Sequence, residues 1–201
     1  MATITTRIGP LDNGRAMTID EFLEAEEEPG YRYELARGVL EVTHVPGPTH
    51  WQVVTNLYQL VANYRVARPG VILRFGGGSE CRLWLPAMVS GRNPDLAVVL
   101  HGTPKNPDGH RSPSLVAEVV SKSSFDRDHT AKREEYLAYG LKEYWIIDFL
   151  EKKMTLLTRN GDIWVDRPCA EAQPIPSLVL PGLTATVADL WVDLEEYDPT
   201  D

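Results

Sequence analysis

The sequence predicts an α+β fold built on a mixed sheet, and three observations carry that expectation. Short apolar runs recur along the chain, several of them flanking glycine-bearing turns of hairpin length. Residues 115–148 read as strand, helix, strand, the spacing of a parallel crossover unit. The first strand of that unit, Leu115-Val116-Ala117-Glu118-Val119-Val120, is apolar on both faces, as a central strand is, yet it holds a carboxylate.

The elements follow in order. Thr18 with Glu21 at capping-box spacing starts a helix over 19–28, stopped by Pro29-Gly30. Strands over 31–35 and 39–44 flank Ala36-Arg37-Gly38, a hairpin whose glycine supplies positive φ. Thr49 caps a helix over 50–67 with the apolar stripe Val53, Val54, Leu57, Leu60, Val61 and Tyr64, ended by Pro69-Gly70. Strands are expected over 71–75 and 80–85, joined by Gly76-Gly77-Gly78-Ser79, then over 95–100 and 115–120. Asp126 or Asp128 starts a helix through Tyr139, and Gly140 takes the position just past its end. A buried strand over 143–148, a hairpin of 154–158 with 163–165 about Asn160-Gly161, and a short helix over 187–191 complete the chain.

At 201 residues a single domain, 1–201, is expected, with 1–16 and 193–201 poorly ordered. No apolar stretch is long enough to span a membrane, and Cys81 and Cys169 are too few and too far apart for a disulfide framework. A cytoplasmic protein with reduced thiols is the expectation. The net charge of −9 argues against a nucleic-acid partner, but its distribution softens that argument. Acids cluster over 20–28 and 189–201, leaving 16 acids against 18 Lys and Arg between residues 29 and 188.

A buried carboxylate without a partner costs several kcal/mol, so Glu118 needs a basic side chain, a shared proton or a metal ion beside it. Pro94-Asp95 places a second acid at the mouth of the strand over 95–100. Two acids converging among buried strands with a lysine in reach would form a divalent-metal site.

The order Pro94-Asp95, Glu118 in a following strand, then a helix, resembles the PD-(D/E)XK nuclease superfamily. The chain is more closely similar to the Uma-two family of "putative restriction endonucleases" through Tyr33-Glu34-Leu35 with Gly38, Pro48-Thr49-His50, Pro94-Asp95, Glu118-Val119-Val120-Ser121, Asp128, Lys132, Tyr136, the run from Gly140 to Asp148, and Pro181-Gly182-Leu183. The resemblance implies a restriction-endonuclease-like core: a mixed sheet flanked by helices, here with added hairpins. It also implies an endonuclease hydrolysing phosphodiester bonds of DNA with Mg²⁺ or Mn²⁺. Asp95 and Glu118 would be the metal ligands, with the Val119 carbonyl completing the inner shell, and Glu34 a third acid. Val120 stands where the superfamily pattern has lysine, and the resemblance points to Lys132 instead, with Lys122 the local alternative. His50, Ser121, Asp128 and Tyr136 would support the ligands or touch substrate.

Each assignment has a structural rival. Lys132 pairs equally well with Asp128 at i,i+4 on a solvated helix face, Glu34 with a cross-strand arginine, and His50 suits a surface cap. Tyr144, Trp145 and Ile147 read as core or interface. Cutting both strands of a duplex would favour a homodimer, with 144–147 as one contact. The competing function is a catalytically inactive nuclease-like scaffold that binds DNA or protein. Zinc-hydrolase spacing, a P-loop and a serine-hydrolase motif are absent from the sequence.

Overall fold

The computed structural model describes residues 6–106, 110–121 and 124–194. In chain order the strands and α-helices are β1 (Arg7–Ile8), α1 (Ile19–Glu24), β2 (Glu26–Glu27), β3 (Tyr31–Ala36), β4 (Val39–His44), α2 (Pro48–Ala67), β5 (Ile72–Gly76), β6 (Leu83–Leu85), β7 (Ser90–Arg92), β8 (Leu96–Leu100), β9 (Leu115–Val120), α3 (Lys132–Tyr139), β10 (Glu143–Asp148), β11 (Lys153–Asn160) and β12 (Ile163–Cys169). The chain divides into two compact units: Met1–Pro46 with Arg82–Asn93, and Gly47–Cys81 with Pro94–Asp201.

The first unit holds a four-stranded sheet in the order β4-β3-β7-β6. Its hairpin turns through Arg37 and Gly38 at φ 50° and 79°, so the turn needs left-handed backbone at both residues, as a two-residue hairpin of this hand does. Ile8, Met17, Phe22, Tyr33, Leu35 and Leu40 form its core. Residues 6–16 are therefore not ragged as expected: β1 pairs in parallel with β2 and buries Ile8 completely. That pairing also ends α1 at Glu24 rather than near residue 28, although Thr18 caps it as expected, accepting from the Glu21 amide while Glu21 accepts from the Thr18 amide. The strand β7, too short and polar to read from sequence, adds to the far side of β3.

The second unit carries a six-stranded mixed sheet in the order β12-β11-β10-β9-β8-β5. Its one parallel pair is β9 with β10, whose connection contains α3, as the crossover pattern requires. On one face, Leu96, Val98, Leu115, Ala117 and Val119 pack with Val53, Leu57, Leu60, Val61 and Tyr64 of α2. The helix starts at Pro48 behind Gly47, so Thr49 is inside it and does not cap it. Tyr144, Trp145, Ile146 and Ile147 lie on an interior strand between β9 and β11 and are buried, which removes them as an exposed edge for a partner. The β11–β12 turn falls at Gly161-Asp162, one residue later than expected, because Asn160 pairs with Ile163.

Glu143 opens β10 and is fully buried without a cation in its described contacts. Its oxygens accept from the Ser177 hydroxyl at 2.8 Å, the Trp145 indole N–H at 3.1 Å, the Val179 amide at 2.9 Å and the Leu178 amide. Four donors replace its hydration and tie the 177–180 segment to the sheet. Glu143→Gln turns an amide N–H₂ toward these donors and should lower the urea-denaturation free energy by about 2–4 kcal/mol; a loss below about 0.5 kcal/mol would contradict this pinning role.

Candidate functional site

The site belongs to the second unit and grows from the alternation of β9. Because Leu115, Ala117 and Val119 face α2, Glu118 faces the opposite side of the sheet, where α3 lies. There Tyr136 donates its hydroxyl to Glu118 Oε1 at 2.5 Å, and Lys132 Nζ stands 3.0 Å from Oε2. The same ammonium is 3.2 Å from Asp128 Oδ1. Glu118, Asp128 and Lys132 are 2%, 1% and 3% exposed, which decides between the two readings of the lysine. The i,i+4 contact with Asp128 exists, but it is buried and shared with Glu118 and does not decorate a solvated face.

Residues 128, 132 and 136 recur every four positions and so share one helical face. The helix leading into α3 does not begin with a cap at Asp126 or Asp128: Asp126 is already helical, and Arg127–Ala131 forms a π turn in which the Lys132 amide donates to the Arg127 carbonyl. Such a widened turn is frequent at functional sites, and Asp128 sits within it. Arg127 Nε is 3.9 Å from the same Asp128 oxygen.

Asp95 precedes β8, whose Leu96 pairs with Ala117 in antiparallel register. Asp95 therefore stands just outside that ladder, at the end of β9 that carries Glu118 and Val119. Asp95 Oδ2 accepts the Val119 amide at 2.9 Å and lies 3.2 Å from His50 Nε2. Asp95 and His50 are 4% and 5% exposed, so His50 is no surface cap. Its burial was legible in principle, since it stands three residues before Val53 and seven before Leu57 on the buried stripe of α2.

The other expected residues fall as follows. Glu34 lies in the first unit, where Oε1 accepts the Asn93 amide at 2.7 Å and Oε2 the Arg92 guanidinium at 3.2 Å; the cross-strand arginine is realised, and Arg92 also meets Glu41 at 2.6 Å. Ser121 donates its amide to Ser124 Oγ at 2.9 Å. Lys122 lies outside the described residues. Val119 contributes its N–H to Asp95. Burial raises both cysteine thiols above their ordinary range, so neither is poised as a nucleophile.

Among the described residues no three His, Cys, Asp or Glu side chains converge on one metal position. Protein ligation here would rest on two carboxylates, which suits Mg²⁺: it takes hard oxygen donors and keeps several waters or phosphate oxygens. A carboxylate has about four lone-pair sites, so the bonds from Lys132 and Tyr136 do not exhaust Glu118 as a ligand. Asp95, Glu118 and Asp128 supply buried hard oxygen donors of the kind such an ion takes. The donor set fits a divalent cation.

The family model Uma2, described as "Putative restriction endonuclease", matches residues 19–188. Among solved structures the chain is similar to "a putative nuclease belonging to DUF820" from Anabaena variabilis ATCC 29413, with TM-score 0.69 and 18% identity over 87% of this chain and 97% of that one. At that identity the likeness concerns the fold, which is a nuclease-like α+β architecture. No curated protein matches.

Removing the buried ammonium leaves two carboxylates facing each other. Lys132→Met should cost about 3–5 kcal/mol in urea denaturation with EDTA present, and Tyr136→Phe about 1–3 kcal/mol. The double variant should fall short of the sum, because both partners serve Glu118. A Lys132→Met protein as stable as the parent would mean that the lysine is not held in the pocket.

Proposed function

The chain belongs to the Uma2 family, and from that membership and the acid–lysine cluster we propose that it is a divalent-metal-dependent endonuclease hydrolysing phosphodiester bonds of DNA. The observation that carries the proposal is the bond from the Val119 amide to Asp95, which holds a second buried acid beside the residue next to Glu118, itself paired with Lys132. DNA is the proposed substrate class because a restriction endonuclease, the term in the family description, is an enzyme that cuts DNA. The family description and the reduced, unpaired cysteines suit a cytoplasmic setting, and no helix among the described residues is long and apolar enough to cross a membrane.

Asp95 and Glu118 would hold Mg²⁺ or Mn²⁺, with the Val119 carbonyl as a further oxygen. When bound, such an ion supplies Lewis acidity that offsets the charge developing at phosphorus and on the leaving oxygen. The rest falls to the chain. Lys132 orients the attacking water and stabilises the transition-state charge, releasing part of its hold on Glu118 to do so. Asp128 keeps the ammonium at the strand when no substrate is present. His50 and the Val119 amide fix the rotation of the Asp95 carboxylate, and Tyr136 that of Glu118. Glu34, the third acid expected, is held by Arg92 within the first unit. Two such sites in a homodimer would cut both strands of a duplex.

Saturating Mn²⁺, at about 100 times its dissociation constant, adds roughly 2.7 kcal/mol to stability and should raise the melting temperature by about 5–10 °C. Glu118→Gln should abolish that rise, and equal rises in both proteins would contradict the metal site. Plasmid nicking should require the metal and vanish in Asp95→Ala. A parent protein that binds Mn²⁺ yet never cleaves would favour the inactive scaffold.

A further inference from the structure

The glycine run Gly76-Gly77-Gly78, excluded as a phosphate-binding loop, lies along the segment that carries Asp95. Gly76 ends β5 and pairs with Ala97, and the Gly78 amide donates to the Pro94 carbonyl at 2.8 Å. Between them a Cβ on Gly77 would sit 2.1 Å from the Asp95 carbonyl oxygen, 2.7 Å from its carbonyl carbon and 2.5 Å from the Tyr58 hydroxyl. Real Cβ atoms essentially never come within 3.0 Å of another heavy atom. Two of the three obstacles are main-chain atoms of Asp95 itself, which cannot swing aside as the end of a flexible side chain can. Tyr58 is held on the other side by its place on α2 and an edge-on contact with Phe75.

We infer that Gly77 is the positioning residue of Asp95: the absence of a side chain at 77 lets the Asp95 peptide lie where its carboxylate meets the amide of Val119, the residue after Glu118. The inference rests on the metal-nuclease reading only for its catalytic consequence; the geometric part stands on the glycine contacts. A side chain at 77 displaces the Asp95 peptide, turns the carboxylate away from Val119 and separates the two acids. Displacing a reacting group by about 1 Å typically costs about 100-fold in rate.

The test compares the parent, Gly77→Ala and Gly77→Ala/Tyr58→Phe, each as the full chain. The double variant removes the hydroxyl obstacle and leaves the Asp95 obstacle, and it replaces the single variant if that one does not fold. Two readouts are taken at a temperature where all proteins are folded: the Val119 amide proton shift and hydrogen-exchange protection, identified with an Asp95→Asn control, and Mn²⁺ affinity. Gly77→Ala should move the Val119 signal toward that of Asp95→Asn, raise its exchange rate, and weaken Mn²⁺ binding about tenfold or more, with no recovery in the double variant. A parent-like Val119 signal and affinity in Gly77→Ala overturns the inference. Recovery in the double variant also overturns it, assigning the defect to Tyr58. If the parent binds no Mn²⁺ while Gly77→Ala still shifts the Val119 signal, the metal reading fails and the positioning of Asp95 stands.

Discussion

The buried pairing of Glu118 with Lys132 is the constraint on which this architecture turns. A carboxylate 2% exposed on a central strand is tolerated only with a cation or strong donors beside it, and α3 delivers both from positions 132 and 136. The parallel pairing of β9 with β10 forces the connecting chain to cross the sheet face, and Lys132 rides on that crossing. Topology and electrostatics thus fix each other: the crossover that lets two strands run parallel also brings the counter-ion that lets one of them carry a charge.

A comparison within the same strand pair sharpens the point. Glu143, paired with Leu115, and Glu118, paired with Ile146, are both deeply buried acids on neighbouring strands. Glu143 is surrounded by neutral donors from the 177–179 segment and Trp145, an arrangement that completes its hydration shell and fixes a loop. Glu118 instead shares a lysine with Asp128 and stands next to Val119, whose amide holds Asp95. Held by four neutral donors, the first acid fixes a loop; the second is held by an ammonium and a phenol and shares that ammonium with another acid.

Much of this was readable from the residues. The alternation of 115–120 exposed Glu118 as an oddity, the crossover followed from the spacing of 115–148, and the capping box at Thr18 and Glu21 formed as written. The choice of Lys132 came from family resemblance, since no periodicity distinguishes it from a solvated lysine. What stayed hidden depends on partners distant in sequence. Glu26–Glu27 leaves the helix because β1 captures it, His50 is buried because Asp95 arrives 45 residues later, and Tyr144–Ile147 is interior because β11 covers what looked like an edge. The π turn at Arg127–Ala131 has no sequence signature of its own, and the meaning of Gly77 appears only once Asp95 is beside it.

The central claim is that Asp95 and Glu118 share a divalent cation within reach of Lys132. Anomalous diffraction from Mn²⁺-soaked crystals tests it most directly. The account predicts one strong peak at coordination distance from carboxylate oxygens of both residues; manganese peaks confined to surface acids, with Glu118 still closed onto Lys132 and Tyr136, would contradict it.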